Sequence, residues 1–180
     1  GEDVTHVDFA PYRKKMQIVF QDPYASLNPR FTVGEIIEEP MIIHNMGTAH
    51  ERKVIVQELI ETVGLKPDHI RRYPHEFSGG QRQRMTIARA VVGEPEILVL
   101  DDSASALDYA TDYRLRKAIK EQCKSTVIVI SQRASAIKNA DKILVLDDGR
   151  IVGEGTHDAL LKGCEVYKEI CASQLEGGAK

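Results

Sequence analysis

The sequence predicts an α/β protein with a parallel β-sheet core and an inserted, mostly helical subdomain. Three apolar runs, at 97–100, 127–130 and 143–146, predict strands buried on both faces of the sheet, because each run is continuous and helical segments separate them. Residues 24–77 have mainly helical periodicity and predict the subdomain. Apolar residues make up 42% of the 180, which is sufficient for a packed core.

The first half of the chain is expected to contain one strand and two helices before residue 77. Met16–Phe20 predicts the strand, and a loop bracketed by prolines separates it from a helix that begins near Val33. A second helix is predicted over residues 50–63, and Gly64 is placed to end it. Its apolar side is expected to consist of Val54, Ile55, Leu59, Ile60 and Val63.

The second half is expected to alternate strands with helices, as a parallel sheet requires. A long helix is predicted from Ala106 to Cys123 and a short one at 134–139. Asp147-Asp148-Gly149 predicts a hairpin turn to a further strand. Residues after Gly163 predict a terminal helix that frays at its last residues.

Charge and cysteine content exclude several classes of function. The net charge is −3 and no basic patch compensates for it, which argues against nucleic acid as a partner. Arg82, Arg84 and Arg89 fall on one predicted helix, where a solvated face or an acidic neighbour accounts for them. The three cysteines lack metal-ligand spacing, so reduced thiols in a cytosol are expected.

Residues 77–84, Phe-Ser-Gly-Gly-Gln-Arg-Gln-Arg, open a predicted helix. Ser78 suits the N-cap, and the glycines leave main-chain N–H groups bare at the positive end of the helix dipole, which favours an anion such as phosphate. The octet resembles the signature motif of ABC-transporter ATPases. In that family the motif contacts the γ-phosphate of ATP bound by the opposite subunit of a dimer. The resemblance therefore assigns this contact to Ser78, Gly79, Gly80 and Gln81.

Polar residues close three of the predicted strands, at the edge where parallel sheets bind ligands. Gln21 resembles the glutamine of the family's Q-loop, which touches Mg²⁺ and the attacking water. Asp101 resembles the Walker B aspartate, which holds Mg²⁺ through water. Gln132 stands where the family has its switch histidine. Ser105-Ala106-Leu107-Asp108 resembles the D-loop, which crosses the dimer interface, and this assigns Asp108 to the nucleotide site.

Each of these residues also has a simpler interpretation as a loop or capping residue. Their joint occurrence in the family's order, each on the expected element, favours the functional interpretation. The resemblance therefore implies a P-loop NTPase-like sheet of the ABC ATPase type.

The first departure from the family pattern is the absence of Gly-x-x-x-x-Gly-Lys-Ser/Thr from the 180 residues. That loop wraps the phosphates of the nucleotide with main-chain N–H groups. The N-terminal P-loop part of the fold is therefore expected to be absent, and the remaining sheet is expected to expose apolar surface.

The second departure concerns the catalytic positions. Asp102 replaces the glutamate that polarises the attacking water, and it is one methylene shorter. Gln132 cannot take up a proton as the switch histidine can. The two replacements together resemble the degenerate subunit of heterodimeric ABC exporters, which turns ATP over poorly but completes its partner's site.

The third departure is a change of subfamily along the chain. Residues 19–29 and 73–77 resemble ATPase subunits of oligopeptide and dipeptide importers, whereas 101–112, 131–133 and 155–157 resemble exporters. We hypothesise that an importer-type front joins an exporter-type back near the signature helix. Natural recombination, an engineered sequence and a sequence-assembly join would each produce this pattern.

The resemblance implies the nucleotide-binding domain of an ABC transporter for peptide-like solutes, with ATP and Mg²⁺ as cofactors. Its expected partners are a second ABC ATPase subunit, arranged head to tail, and transmembrane permease subunits at the cytoplasmic face of a membrane. Residues 1–23 are expected to be a core remnant that ends at the Q-loop, and residues 24–92 a helical subdomain with the signature helix. Residues 93–163 are expected to form a core with Walker B, D-loop and switch position, and residues 164–180 a C-terminal helix with a tail.

Three alternatives remain open at the level of sequence. The chain could be a non-catalytic subunit that lends its signature motif to a competent ATPase, or an inactive chimeric fragment. It could also be an ABC protein of DNA repair or translation, against which the importer-like Q-loop region argues. Whether the chain itself hydrolyses ATP is not decided by its residues.

Overall fold

The chain forms two compact units, residues 1–128 and 129–180. The computed structural model describes residues 5–103, 107–122 and 124–177. Two predicted D-loop residues, Ser105 and Ala106, lie outside the described residues, as do Cys123 and the last residues of the predicted frayed tail.

A three-stranded sheet in the order β1-β2-β3 forms the core, after a one-turn helix α1 (Ala10–Arg13). Strands β1 (Met16–Val19) and β2 (Ile97–Asp101) are parallel, with Val19 opposite Leu100. Strand β3 (Thr126–Ile130) lies on the other side of β2. This confirms the predicted α/β class and its parallel sheet.

The helical subdomain lies between β1 and β2 in the chain, as predicted. Its three long helices follow threonine or serine residues that form reciprocal capping boxes, at Thr32, Thr48 and Ser78. Its elements are α2 (Pro23–Ser26), α3 (Val33–Ile43), α4 (Ala49–Thr62), two 3₁₀ turns (Pro67–Arg71 and Pro74–Glu76) and α5 (Gly79–Val91). Ile37 of α3 and Met85 of α5 are completely buried in its core.

The buried side of α4 differs from the predicted one. Val56, Ile60 and Val63 are buried, whereas Val54 and Ile55 are 44% and 37% exposed. The predicted and the observed apolar stripes share Ile60 and Val63. Val56, Ile60 and Val63 stand at positions i, i+4 and i+7, which lie on one face of a helix. Gly64 ends the helix as predicted, with φ of 73°.

The long helix after β2 is α6 (Tyr109–Gln122), which begins three residues later than predicted. Asp108 precedes its first turn and accepts a hydrogen bond from the main-chain N–H of Thr111 at 2.9 Å. Leu115 and Ile119 form the buried side of the helix.

The second unit contains α7 (Ala134–Ile137), β4 (Ile143–Asp147), β5 (Arg150–Gly155), α8 (His157–Gly163) and α9 (Glu165–Gly177). Strands β4 and β5 form the predicted hairpin, with Asp147 opposite Arg150. Asp148 and Gly149 both have positive φ, of 45° and 73°. This is the backbone that a two-residue hairpin turn requires.

The prediction that residues 143–146 belong to the parallel sheet is wrong. Strand β4 pairs antiparallel with β5 in a separate two-stranded sheet. Ile143 and Val145 pack with Leu160 and Tyr167, whereas Leu144 and Leu146 are exposed. An apolar run does not specify its pairing partner, so the sequence alone left this strand misassigned.

Apolar side chains of the first sheet are exposed, as expected. Ile18 is 42% and Phe20 52% exposed next to β1, and Ile128 of β3 is 47% exposed. Within residues 5–103, 107–122 and 124–177, no helix has both the length and the apolar character that crossing a membrane would take.

Candidate functional site

The carboxyl ends of β1 and β2 bring two of the predicted site residues into contact. Because Val19 is opposite Leu100 in the parallel pair, the residues that follow each strand leave the sheet at the same edge. The Gln21 amide Nε2 donates a hydrogen bond to Asp102 Oδ2 at 3.2 Å. Asp101, the last residue of β2, is half-buried beside them.

Asp102 has an unusual main-chain conformation, with φ of 39°. This left-handed region is costly for most side chains, and aspartate is among the residues that adopt it most readily. Conformations of this kind recur where the surrounding structure aims a side chain at a ligand. The backbone at Asp102 is therefore consistent with a functional position, although its catalytic role remains a prediction.

The start of α5 has the geometry predicted for anion binding. Ser78 Oγ accepts a hydrogen bond from the Gln81 N–H at 3.3 Å, and Gln81 Oε1 accepts one from the Ser78 N–H at 2.9 Å. Neither bond uses the N–H groups of Gly79 and Gly80. These groups lie in the first turn, where N–H groups have no acceptor within the helix. A Cβ atom added at Gly79 would meet nothing within 4 Å.

A buried glutamine ties the signature helix to the Q-loop strand. Gln83 is fully buried, and its Nε2 donates a hydrogen bond to the carbonyl oxygen of Phe20 at 3.3 Å, one residue before Gln21. Arg89, on the same helix, donates through Nη1 to the carbonyl oxygen of Ser26. Sequence reasoning missed these roles, although a polar residue between buried apolar positions of a helix was a usable signal.

Of the two interpretations of the signature-helix arginines, the solvated face is wrong for the buried Arg82. Arg84 and Arg89 do have acidic neighbours, Asp108 and Glu39. Arg82 is buried, and its Nη1 donates to the carbonyl oxygen of Pro74 at 3.5 Å. Arg84 Nη1 donates to the carbonyl oxygens of Gly64 at 2.5 Å and Val63 at 3.3 Å, which caps the end of α4. Burial lowers the pKa of the Arg84 guanidinium, and the nearby Asp108 opposes this shift.

Phe77, the residue before Ser78, is held from two sides. The His69 ring meets it edge-on, with ring centroids 5.0 Å apart, and the Arg72 guanidinium lies 4.7 Å from its ring centroid. Arg72 also forms an ion pair with Glu76 at 3.1 Å. The chain entering the signature helix is therefore fixed by side chains from the preceding 3₁₀ turns.

The His69 ring is itself held in place by the main chain. Its Nδ1 accepts a hydrogen bond from the Lys66 N–H at 3.2 Å. Burial lowers the pKa of the imidazole, Asp68 opposes the shift, and the cationic groups of Arg72, Lys66 and Arg84 add to it.

The remaining two predicted site residues, Asp108 and Gln132, make contacts of other kinds. Asp108 is exposed, and hydrogen bonding to Thr111 lowers the pKa of its carboxyl group. Its observed contact is therefore a helix cap, and its predicted part in the nucleotide site is untested. Gln132 belongs to the second unit, where its side chain is exposed and its carbonyl oxygen accepts a hydrogen bond from Gln174 Nε2 at 2.6 Å.

The ABC transporter family matches residues 1–105 of the chain, more than half of its length. The chain belongs to the ABC transporter family. It is 45% identical over 184 residues to the oligopeptide transport ATP-binding protein AppF of Bacillus subtilis (strain 168), covering 97% of this chain and 56% of that protein. It is 46% identical over 154 residues to OppF, the oligopeptide transport ATP-binding protein of the same strain, covering 83% of this chain and 50% of that protein.

Solved ABC structures share the fold. One is a bacterial Atm1-family ABC exporter with ATP bound, at a TM-score of 0.80 and 30% identity over 97% of this chain and 31% of that chain. Another is the ATP-binding cassette MJ0796 as a dimer in a post-hydrolysis state bound to ADP and Pi. Its TM-score is 0.74 and its identity 29%, over 84% of this chain and 68% of that chain.

This ABC chain spans about half the length of the curated relatives it matches. The oligopeptide-transport relatives named above match 83% or more of this chain, and the exporter structure matches 97%. Similarity to both groups therefore extends across the position of the hypothesised join. The join itself stays a prediction.

The donor chemistry at the strand ends of this ABC chain fits Mg²⁺. The described residues contain no group of three or more His, Cys, Asp or Glu side chains that could hold a metal ion by themselves. Magnesium is commonly held by one or two carboxylates together with water and substrate phosphates, and not by an all-protein cage. Asp101 and Asp102, with the Gln21 amide in contact with Asp102, supply such oxygen donors.

Proposed function

We propose that the chain is part of the ATP-binding component of an ABC transporter, which couples ATP binding and hydrolysis to the transport of peptide-like solutes. The observation that carries the proposal is the start of α5, where Ser78 and Gln81 cap each other and Gly79 faces open space. An intact helix start of this kind is an anion site that needs a second surface to complete it. The names of the peptide-transport relatives support the solute class.

In this proposal the signature residues act on a nucleotide held by a second ABC ATPase subunit. Ser78, Gly79, Gly80 and Gln81 would contact its γ-phosphate in a head-to-tail dimer. The dimeric state of the MJ0796 cassette bound to ADP and Pi supports a dimeric arrangement. Asp108, at the start of α6, would lie at the same interface.

The strand ends would serve the nucleotide site on this chain's own side. Gln21 and Asp101 would hold Mg²⁺, which supplies positive charge that neutralises the phosphates. Asp102 would stand in for the general base, and its shorter side chain must reach about 1 Å further, a misplacement that can cost roughly 100-fold in rate. Gln132 would occupy the switch position and offer hydrogen bonds without proton uptake.

The proposed location follows from the proposed partners. A transporter ATPase would bind transmembrane permease subunits at the cytoplasmic face of the membrane as a peripheral component. The relatives named for oligopeptide transport support this placement.

A second candidate function is a non-catalytic subunit that completes its partner's site and hydrolyses nothing. The contact between Gln21 and Asp102 favours it, because the carboxylate that would activate water is already a hydrogen-bond acceptor for the Q-loop amide. Both candidates require the signature helix to meet a partner's nucleotide.

The test is ATP-dependent association with a competent partner, with OppF of Bacillus subtilis as the probe. Analytical ultracentrifugation of the two proteins with ATP and Mg²⁺ is expected to give a complex with one copy of each. Gly79→Ala should weaken it at least about tenfold, since a methyl group there fits the folded chain but occupies the space of the partner's phosphate.

The matched control is Gly93→Ala, because an added Cβ at Gly93 also meets nothing within 4 Å. This variant should associate like the unsubstituted chain. Association that is independent of ATP, or equally strong in Gly79→Ala, would refute a signature contact with nucleotide. No association with OppF in ATP would refute pairing with peptide-importer subunits.

A further inference from the structure

One side chain of the C-terminal helix holds the main chain around the switch position. Gln174 of α9 donates through Nε2 to the carbonyl oxygen of Gln132 at 2.6 Å. Its Oε1 accepts a hydrogen bond from the N–H of Ala134 at 2.8 Å. A single amide group therefore spans the main chain on both sides of Arg133.

The loop needs this outside support because it lacks a cap of its own. Arg133 occupies the N-cap position of the one-turn helix α7, and its side chain makes no capping hydrogen bond. Gln174 supplies that acceptor from another element. Ser131 Oγ accepts a hydrogen bond from the Arg133 N–H at 3.0 Å. The main chain over residues 131–134 is thus fixed, while the Gln132 side chain remains exposed.

The support rests on a well-anchored helix. Tyr167 of α9 is almost completely buried, and its hydroxyl group contacts His157 Nδ1 at 2.8 Å. Ile170 packs at the edge of the same core. Gln174 follows Ile170 by four residues and therefore projects from the same side of the helix.

We infer that Gln174 is a positioning residue for Gln132. It fixes the main chain from which the exposed Gln132 side chain extends at the switch position. The inference rests on the proposed function, which gives Gln132 its part in the ATPase site.

The chemistry of the amide makes the inference specific to glutamine. The two contacts require one donor and one acceptor on the same side chain. Gln174→Ala removes both. Gln174→Glu keeps the acceptor for Ala134 but places a second oxygen against the Gln132 carbonyl, so it is expected to keep one contact and lose the other.

The experiment is NMR of the ¹⁵N-labelled 180-residue chain. Gln174→Ala should accelerate hydrogen exchange of the Ala134 amide at least about tenfold, because its acceptor is gone. It should also lower the order parameter of the Gln132 main-chain N–H, which a role for Gln174 in the packing of α9 alone would leave unchanged. Gln174→Glu should retain the protection of Ala134 and still loosen Gln132.

The control is Glu169→Ala, an exposed position on the same helix, which should leave both signals unchanged. Retained protection of the Tyr167 amide shows that α9 remains folded in every variant. Unchanged Ala134 exchange in Gln174→Ala would overturn the contact, and unchanged Gln132 order would overturn the positioning role. Failure of the OppF association would instead overturn the proposed function and leave these NMR results standing.

Discussion

Two regions of this chain differ in packing and backbone geometry. The signature region is α5 with its cap at Ser78, and the strand-end region is the residues that follow β1 and β2, including Gln21 and Asp102. The signature helix α5 has a reciprocal cap, a fully buried Met85 and a buried Gln83 that ties it to β1. At the strand ends, the backbone of Asp102 is in the left-handed region. Ile18 of β1 and Phe20, which follows β1, are both exposed.

This difference separates two tasks that an ABC subunit performs. The groups that would act on a partner's nucleotide are intact and well packed, whereas those that would act on the chain's own nucleotide are altered at Asp102 and Gln132. If the proposed roles hold, the two regions can be tested separately, because substitutions in one should leave the other intact. Three measurements would break or sharpen the comparison.

The largest effect on stability is expected in the core of the helical subdomain, which contains the signature helix. Ile37 of α3 is 0% exposed, so Ile37→Ala should lower the free energy of unfolding by about 2–5 kcal/mol through lost burial and a residual cavity. Urea unfolding followed by circular dichroism measures it. Ile43→Ala on the same helix is the control, since Ile43 is 65% exposed and should change stability by less than about 0.5 kcal/mol. Equal effects would show that this region is not the well-packed one.

The intermediate effect separates the two helix caps. Ser78→Ala and Thr48→Ala each remove one capping box and should each cost about 1 kcal/mol of stability. Urea unfolding checks that equality. Only Ser78→Ala should also weaken the ATP-dependent association with OppF. If both variants weakened association equally, the loss would reflect stability alone and the functional contrast would disappear.

The smallest effect is a pH dependence at His69. Burial holds the pKa of the folded imidazole below its ordinary value of about 6.5. As the pH falls through that value, the unfolded chain takes up a proton before the folded chain does, so stability falls. His69→Gln should remove this contribution, which we expect to be under about 1 kcal/mol. Unfolding free energies at pH 7.5 and 5.5 compare the two proteins, and an unchanged pH slope in the variant would contradict the assignment.

Sequence patterns predicted the fold where a local rule was sufficient. Ser78, Gly64 and the Asp148-Gly149 turn each mark an element boundary that the structure confirms. Partner choice was not local. The apolar run of β4 pairs with β5 in a separate sheet, and the buried stripe of α4 includes Val56 in place of Val54. Both depend on what packs against the element.

The candidate site shows the same limit. Strand-end positions predicted that Gln21 and Asp101 would lie at the edge where a parallel sheet binds ligands, and Asp102, the next residue, contacts Gln21. Gln83 and Gln174 could not be assigned in this way. The position of Gln83 between apolar residues signals that it is buried, but the sequence does not identify the partners of either glutamine, which are main-chain carbonyl groups 63 and 42 residues away.

The parallel pairing of β1 with β2 also has a consequence for the order in which the elements form during folding. It joins segments that lie far apart along the chain, since Gln21 and Asp102 are separated by 81 residues. Closing such a loop while it is unfolded is entropically slow, whereas contacts between neighbouring helices form quickly. The helices α3, α4 and α5, each with its own capping box, are therefore expected to collapse first and to carry the two strands together. A nascent chain would then possess its signature helix before it possesses a sheet.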